Sequence, residues 1–240
     1  MITLVFIELQ KLRGSLAMLV AVAAPALPGM LVMLALLSND RAASWSEAHR
    51  FALPLWALFL APMVIAAFTA LTAQIEHRGR GWDHLLALPI ARWRIFAAKI
   101  VVTYVAVALM TMLVLGFAGL GTWLGGAMGP GVPEEAFPWA KLVWKGALMI
   151  ASMTTLIAIQ LWVALRFANF VVPLVVGIGG TLVALAVMMT RTQQAEWFPW
   201  VLPFDTLVAP NPERYAMGGL VLGLAILAAM VPVLARHQFR

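Results

Sequence analysis

Side chains able to do chemistry are few in this chain and widely spread. The four histidines, His49, His77, His84 and His237, show no spacing that would gather ligands around a metal, and His77 and His84 share only one short segment. There is no cysteine, so disulfides and thiolate sites are excluded. No G-x-x-x-x-G-K-[ST] run occurs, so the chain is not expected to cradle a nucleotide phosphate itself. No Asp, Glu, Lys, Arg or His stands near the centre of a long apolar run, where proton relays and ion paths place them. Sodium sites built from backbone carbonyls of broken helices stay open. The remaining polar groups are mild. Ser152, Thr154, Thr155 and Gln160 share one apolar run, and Thr103, Tyr104 and Thr111 another. Thr155, Gln160 and Tyr104 would line a substrate path or, alternatively, hydrogen-bond between helices. No catalytic residue, metal or cofactor is expected in this chain.

Residues 76–99, EHRGRGWDHLLALPIARWRIFAAK, carry the densest pattern. Trp82, Leu85, Leu86 and Pro89 fall at i, i+3, i+4 and i+7, one stripe of a helix. Asp83 supports the start of that short helix, and Pro89 marks its end before a new helix begins. Arg78, Arg80, Arg92 and Arg94 ring it. Two readings fit: a plug that docks into a soluble partner, or an amphipathic helix resting on lipid.

The elements that position this segment are apolar runs. Of the 240 residues 63% are hydrophobic and 11% charged, far from the balance of a soluble domain. Six runs, about 16–37, 51–75, 98–120, 146–165, 170–190 and 215–235, each approach the ~20 residues that cross the hydrocarbon of a bilayer. The expected fold is therefore an all-α integral membrane protein with one membrane domain over residues 1–240. Residues 1–14 read as a short interfacial helix, or else as the start of the first span. That span is too long, and lacks the small-residue cleavage site, for a removed leader.

Charge sets the orientation. With the N-terminus cytoplasmic, ten cations lie inside: Lys11, Arg13, Arg78, Arg80, Arg92, Arg94, Lys99, Arg166, Arg236 and Arg240. Six lie outside: Arg41, Arg50, Lys141, Lys145, Arg191 and Arg214. The excess of Lys and Arg predicts both termini in the cytoplasm. The net charge of +6 is accordingly a matter of topology, with no nucleic-acid partner expected.

On the outer side, residues 121–140 are rich in Gly and Pro and read as turns. Residues 196–210 combine belt aromatics (Trp197, Phe198, Trp200, Phe204) with Pro199, Pro203 and Pro210, which suits a broken, half-inserted segment or an interfacial loop. Gly219 and Gly223 form a small-xxx-small pair, within the chain or between subunits.

Glu76, Gly81, Trp82, Leu85, Leu86, Leu88, Pro89, Arg92, Arg94, Ala98 and Lys99, read together, resemble the ABC-2 type of ABC transporter permease. The size and style are similar to those of the small bacitracin and lantibiotic export and immunity permeases. The resemblance implies that residues 76–97 form a cytoplasmic coupling loop. Glu76, Trp82, Leu85, Leu86, Pro89 and Arg92 would then serve its contact with a separate ATPase subunit that holds ATP and Mg. It further implies a second permease copy or a related permease, a place in the bacterial inner membrane, and outward movement of an amphipathic peptide, antibiotic or lipid. Glu76 would find its charge partners in Arg78, Arg80 or a basic group of the ATPase. The alternatives are an ion-coupled or facilitative transporter, and a non-transporting scaffold or sensor.

Overall fold

A computed structural model of the chain describes residues 1–38, 42–78, 81–129, 131–190 and 197–236. The described residues contain ten α-helices and one π turn. Six helical stretches are long and apolar enough to cross a membrane. They are α2 (Leu16–Leu37), α3 with the π turn and α4 (Trp45–His77), α6 (Arg92–Met128), α7 (Trp139–Arg166), α8 (Val171–Thr190) and α10 (Pro212–Arg236). Three short helices accompany them: α1 (Ile2–Leu12), α5 (Gly81–Ala87) and α9 (Leu202–Val208).

α1 is a helix in its own right. Gly14 turns the chain at φ +71°, a backbone region that disfavours a Cβ, and the Ser15 hydroxyl then accepts from the Met18 N–H at 3.3 Å to cap α2. The second span starts at Trp45, earlier than the apolar run predicts, because its first turns are amphipathic. α3 (Trp45–Leu55) passes through the π turn Trp56–Leu60 into α4 (Ala61–His77). The ladder widens there just before Pro62, which has no N–H to offer it.

The largest departure from the predicted spans is α6. Its 37 residues extend about 55 Å at 1.5 Å per residue, well past a ~30 Å hydrocarbon core. It absorbs residues 121–128, which composition predicts as turns. The glycines there serve close packing instead. A Cβ on Gly121 would overlap the Gly29 carbonyl of α2, and one on Gly29 would overlap the Phe117 carbonyl of α6. Backbone touches backbone across this crossing, as small residues permit in membranes.

α7 is the most deeply buried span. Its Met149, Met153, Leu156 and Ile157 join Trp56, Phe68 and Met110 in the main apolar cluster. Gly219 and Gly223 of α10 lie directly on the α7 backbone at Ser152 and Thr154–Thr155, so this small-residue pair serves packing within the chain. Residues 191–196 lie outside the described residues. The segment after them is broken, as its prolines require: Trp200 covers Gly180 of α8, and α9 buries Leu202, Pro203 and Thr206.

Candidate functional site

At the end of the bundle that carries α1, four charged side chains close a ring. Lys11 Nζ lies 2.6 Å from Glu8 Oε1 and 2.9 Å from Glu76 Oε1. Lys99 Nζ lies 2.8 Å from Glu8 Oε2 and 2.8 Å from Glu76 Oε1. Each cation meets both carboxylates, so the ring is neutral as a unit. The elements explain the meeting. Glu8 and Lys11 are one turn apart on α1, Glu76 ends α4, and Lys99 sits two turns into α6. Glu76 and Lys99 are buried, and Glu8 and Lys11 are mostly so.

Charges withdrawn from water this far are tolerable only when paired and hydrogen-bonded. Burial acts to raise the Glu8 carboxyl, but Lys99 and Lys11 outweigh it and hold it below the ordinary carboxylate range. Burial likewise acts to lower the Lys11 ammonium, while Glu8 and Glu76 hold it above its ordinary value. Both Glu76 contacts use Oε1, and the buried Oε2 makes no hydrogen bond.

Helix α5 is fastened beside this ring. Gly81 lies so close to the Glu76 backbone that an added Cβ would stand 2.8 Å from its Cα. Trp82 turns inward and is buried, contrary to an outward docking stripe. Its indole N–H donates to His77 Nδ1 at 3.1 Å, and His77 Nε2 faces the Ala164 carbonyl of α7 at 3.0 Å. With Nδ1 accepting, the proton belongs on Nε2, and both ring nitrogens are committed within the protein. The Trp82 ring also lies 5.9 Å from Phe96 and 5.8 Å from Lys99 Nζ. The apolar face of α5 is drawn inward because the ends of α4, α6, α7 and α10 offer an apolar cluster (Ala73, Phe96, Leu161, Leu165, Leu227) that Trp82 completes.

The other predicted coupling residues divide accordingly. Leu86 packs half-buried on that cluster, and Leu85 lines a groove of about 280 Å³ between α1 and α5 together with Leu4, Ile7 and Leu88. Pro89 is exposed. Arg92 is exposed and donates to the Ala235 carbonyl at 3.3 Å, near the end of α10 where a cation suits the helix dipole. Glu76 is paired with Lys11 and Lys99 in place of the expected Arg78, which is exposed; Arg80 lies outside the described residues. The face that α5 turns outward is therefore Asp83, His84 and Ala87, continued by Leu88 and Pro89.

Two of the three residues placed on a substrate path act between helices. Thr155 is fully buried and donates to the Gly219 carbonyl of α10 at 2.6 Å. The Gln160 amide, with its oxygen toward the Gly177 N–H (3.1 Å) and its nitrogen toward the Pro173 carbonyl (3.2 Å), is inserted into the first turns of α8. Tyr104 packs half-buried against the main cluster. Among the described residues no group of three His, Asp or Glu side chains could hold a metal. Sequence reasoning missed Glu8, Lys11 and His77. The usable signal was the Glu8–Lys11 spacing on an otherwise apolar α1 together with a lone Lys99 inside an apolar run.

The profile of the family described as ABC-2 family transporter protein matches residues 4–184, about three quarters of the chain, from α1 through most of α8. No curated protein and no solved structure matches the chain.

Proposed function

The chain belongs to the ABC-2 family of transporter proteins, and from that premise we propose that it is the permease subunit of an ATP-driven exporter. It is a multi-pass membrane protein of an ABC transporter. A separate ATPase subunit binds ATP and Mg and hydrolyses the nucleotide; a second permease copy or a related permease completes the pore. Both termini lie in the cytoplasm of a bacterium, on the side that the Lys and Arg excess favours. The cargo is an amphipathic peptide, antibiotic or lipid, a class suited to spans without central charges, and the chain is similar in size and style to small export and immunity permeases.

One observation carries this reading. α5 is a seven-residue helix locked on its inner side to α4, α6 and α7 through Gly81, Trp82 and His77, and flanked by the ring that reaches α1. On its other side Asp83, His84 and Leu88 are exposed, His84 and Leu88 at the groove beside α1. A push on Asp83, His84 and Leu88 therefore reaches the ends of several spans at once. Motion of the ATPase enters at that face, and the packed side chains behind it transmit the displacement without absorbing it.

The test is purification of the tagged chain from native membranes, with mass spectrometry and an ATP hydrolysis assay. A phosphate-loop ATPase in equal amount is expected. The Asp83→Lys, Leu88→Asp double variant should lose that ATPase while keeping its helical content and melting temperature. A purified chain without an ATPase, or a double variant that retains the subunit and its hydrolysis rate, contradicts the proposal.

A further inference from the structure

At the end of the bundle opposite the ring, Arg50 of α3 and Lys141 and Lys145 of α7 converge on one cavity of about 290 Å³. Lys141 and Lys145 are four residues apart on one helix face, where like charges repel. Among the described residues none of the three makes an ion pair; the four ion pairs all belong to the ring. Glu135 also lines the cavity: its backbone carbonyl accepts from the Trp45 indole at 2.8 Å, and its exposed side chain makes no ion pair among the described residues. His49 is a fixed wall, since its ring nitrogens face the Trp45 carbonyl at 2.7 Å and the Leu115 carbonyl at 3.2 Å.

Three cations that make no ion pair among the described residues, Arg50 and Lys141 exposed and Lys145 half-buried, around one cavity are the charge pattern of an anion site. The aromatic residues beside it point to the anion. Trp139 and Trp144, both exposed, bracket Lys141 near the start of α7, the pattern of a helix end at the head-group belt. Lys and Arg at that level extend toward phosphate oxygens while their stems stay in apolar surroundings. We propose that the cavity binds a phosphate oxyanion, carried by the head group of a net-anionic phospholipid, with Arg50, Lys141 and Lys145 as its ligands. This goes beyond the permease reading and stands independently of it, because neither α5 nor an ATPase takes part.

The test is native mass spectrometry of the purified chain in a non-ionic detergent, supplemented with phosphatidylglycerol or phosphatidylcholine. One phosphatidylglycerol should be retained per chain in preference to phosphatidylcholine. Lys145→Gln, Lys141→Gln and Arg50→Gln should each weaken it about five-fold, the effect of one interfacial cation on an anionic lipid. Lys145→Arg should retain it, which separates loss of charge from loss of fold, and Arg13→Gln at the other end should leave it unchanged. Thermal protection by inorganic phosphate in the wild type, abolished in Lys145→Gln and without lipid preference, assigns the same site to free phosphate. Equal retention of the two lipids with no protection by phosphate overturns the proposal, as does a Lys145→Gln chain that behaves as wild type in both assays.

Discussion

Removing one member of the ring tests whether it is a buried, balanced unit. Glu76→Ala leaves Lys11 and Lys99 to share Glu8, and a net positive charge remains in a site where the Lys99 side chain is 6% exposed. Breaking a buried pair from one side costs about 3–5 kcal/mol, against at most ~1 kcal/mol for an ion pair in water, so the single variant alone separates a dry ring from a wet one. Lys99→Met leaves the opposite imbalance and should cost about as much. The double variant leaves Glu8 and Lys11, a neutral pair at 2.6 Å. It should cost no more than either single variant, giving a coupling energy near the ~3 kcal/mol upper end for groups in one network. The assay is SDS-titrated unfolding in a mild detergent, read by the fluorescence of the ten tryptophans, of which Trp82 lies 5.8 Å from Lys99 Nζ. Additive effects, within about 0.5 kcal/mol, would refute the balanced ring, and a Glu76→Ala cost under ~1 kcal/mol would mean that water reaches it.

The other expectations concern the surrounding structure. Trp82→Phe keeps the packing on Phe96 and loses the hydrogen bond to His77, so it should cost ~0.5–1.5 kcal/mol, whereas Trp82→Ala should cost ~3–5 kcal/mol by the same titration. Gly121→Val forces a side chain into the Gly29 carbonyl and should lower the yield of folded protein in size-exclusion chromatography, while Gly116→Val, at a position with open space, should not. The ring also predicts a pH window for α1. Glu8 is held below its ordinary pKa, so its contribution is full above the usual carboxylate range and is lost as pH falls through the lower folded value. Lys11 is held above its ordinary pKa, so its contribution is full below the usual ammonium range and is lost as pH rises through the higher folded value. Hydrogen exchange in α1, corrected for its intrinsic pH dependence, should stay protected through neutral pH and open only toward strong acid or strong base.

How much of this was legible in the sequence follows from the range of each interaction. Hydropathy is a sum over neighbours in the chain, so all six spans could be read, with errors confined to their ends. α6 exceeded its apolar run because the helix continues where side chains turn polar or small, and glycine was misread at 121–128. In water a glycine-rich stretch makes turns; between membrane helices the same residues allow a backbone crossing, and only the partner, Gly29, distinguishes the two. Both readings of the stripe Trp82–Leu85–Leu86–Pro89 turn it outward, whereas Trp82 is buried, Leu85 and Leu86 are half-buried, and Pro89 is exposed beyond the end of α5. Periodicity states that one face is apolar, and only packing states what covers it.

The ring shows why the direction mattered. Its four members come from residues 8, 11, 76 and 99, and no local window holds more than two of them. Once they are assembled, the inward turn of α5 is consistent with them: Trp82 lies 5.8 Å from Lys99 Nζ and 5.9 Å from Phe96, so an apolar ring covers the most buried cation of the four. Had the indole faced a partner, Lys99 would lose its aromatic cover and His77 its donor. The same residue cannot both seal the ring and serve as the detachable plug. Apolar side chains hold α5 to its own chain, and the edge at Asp83 and His84, with Leu88 beyond it, is what the helix leaves exposed.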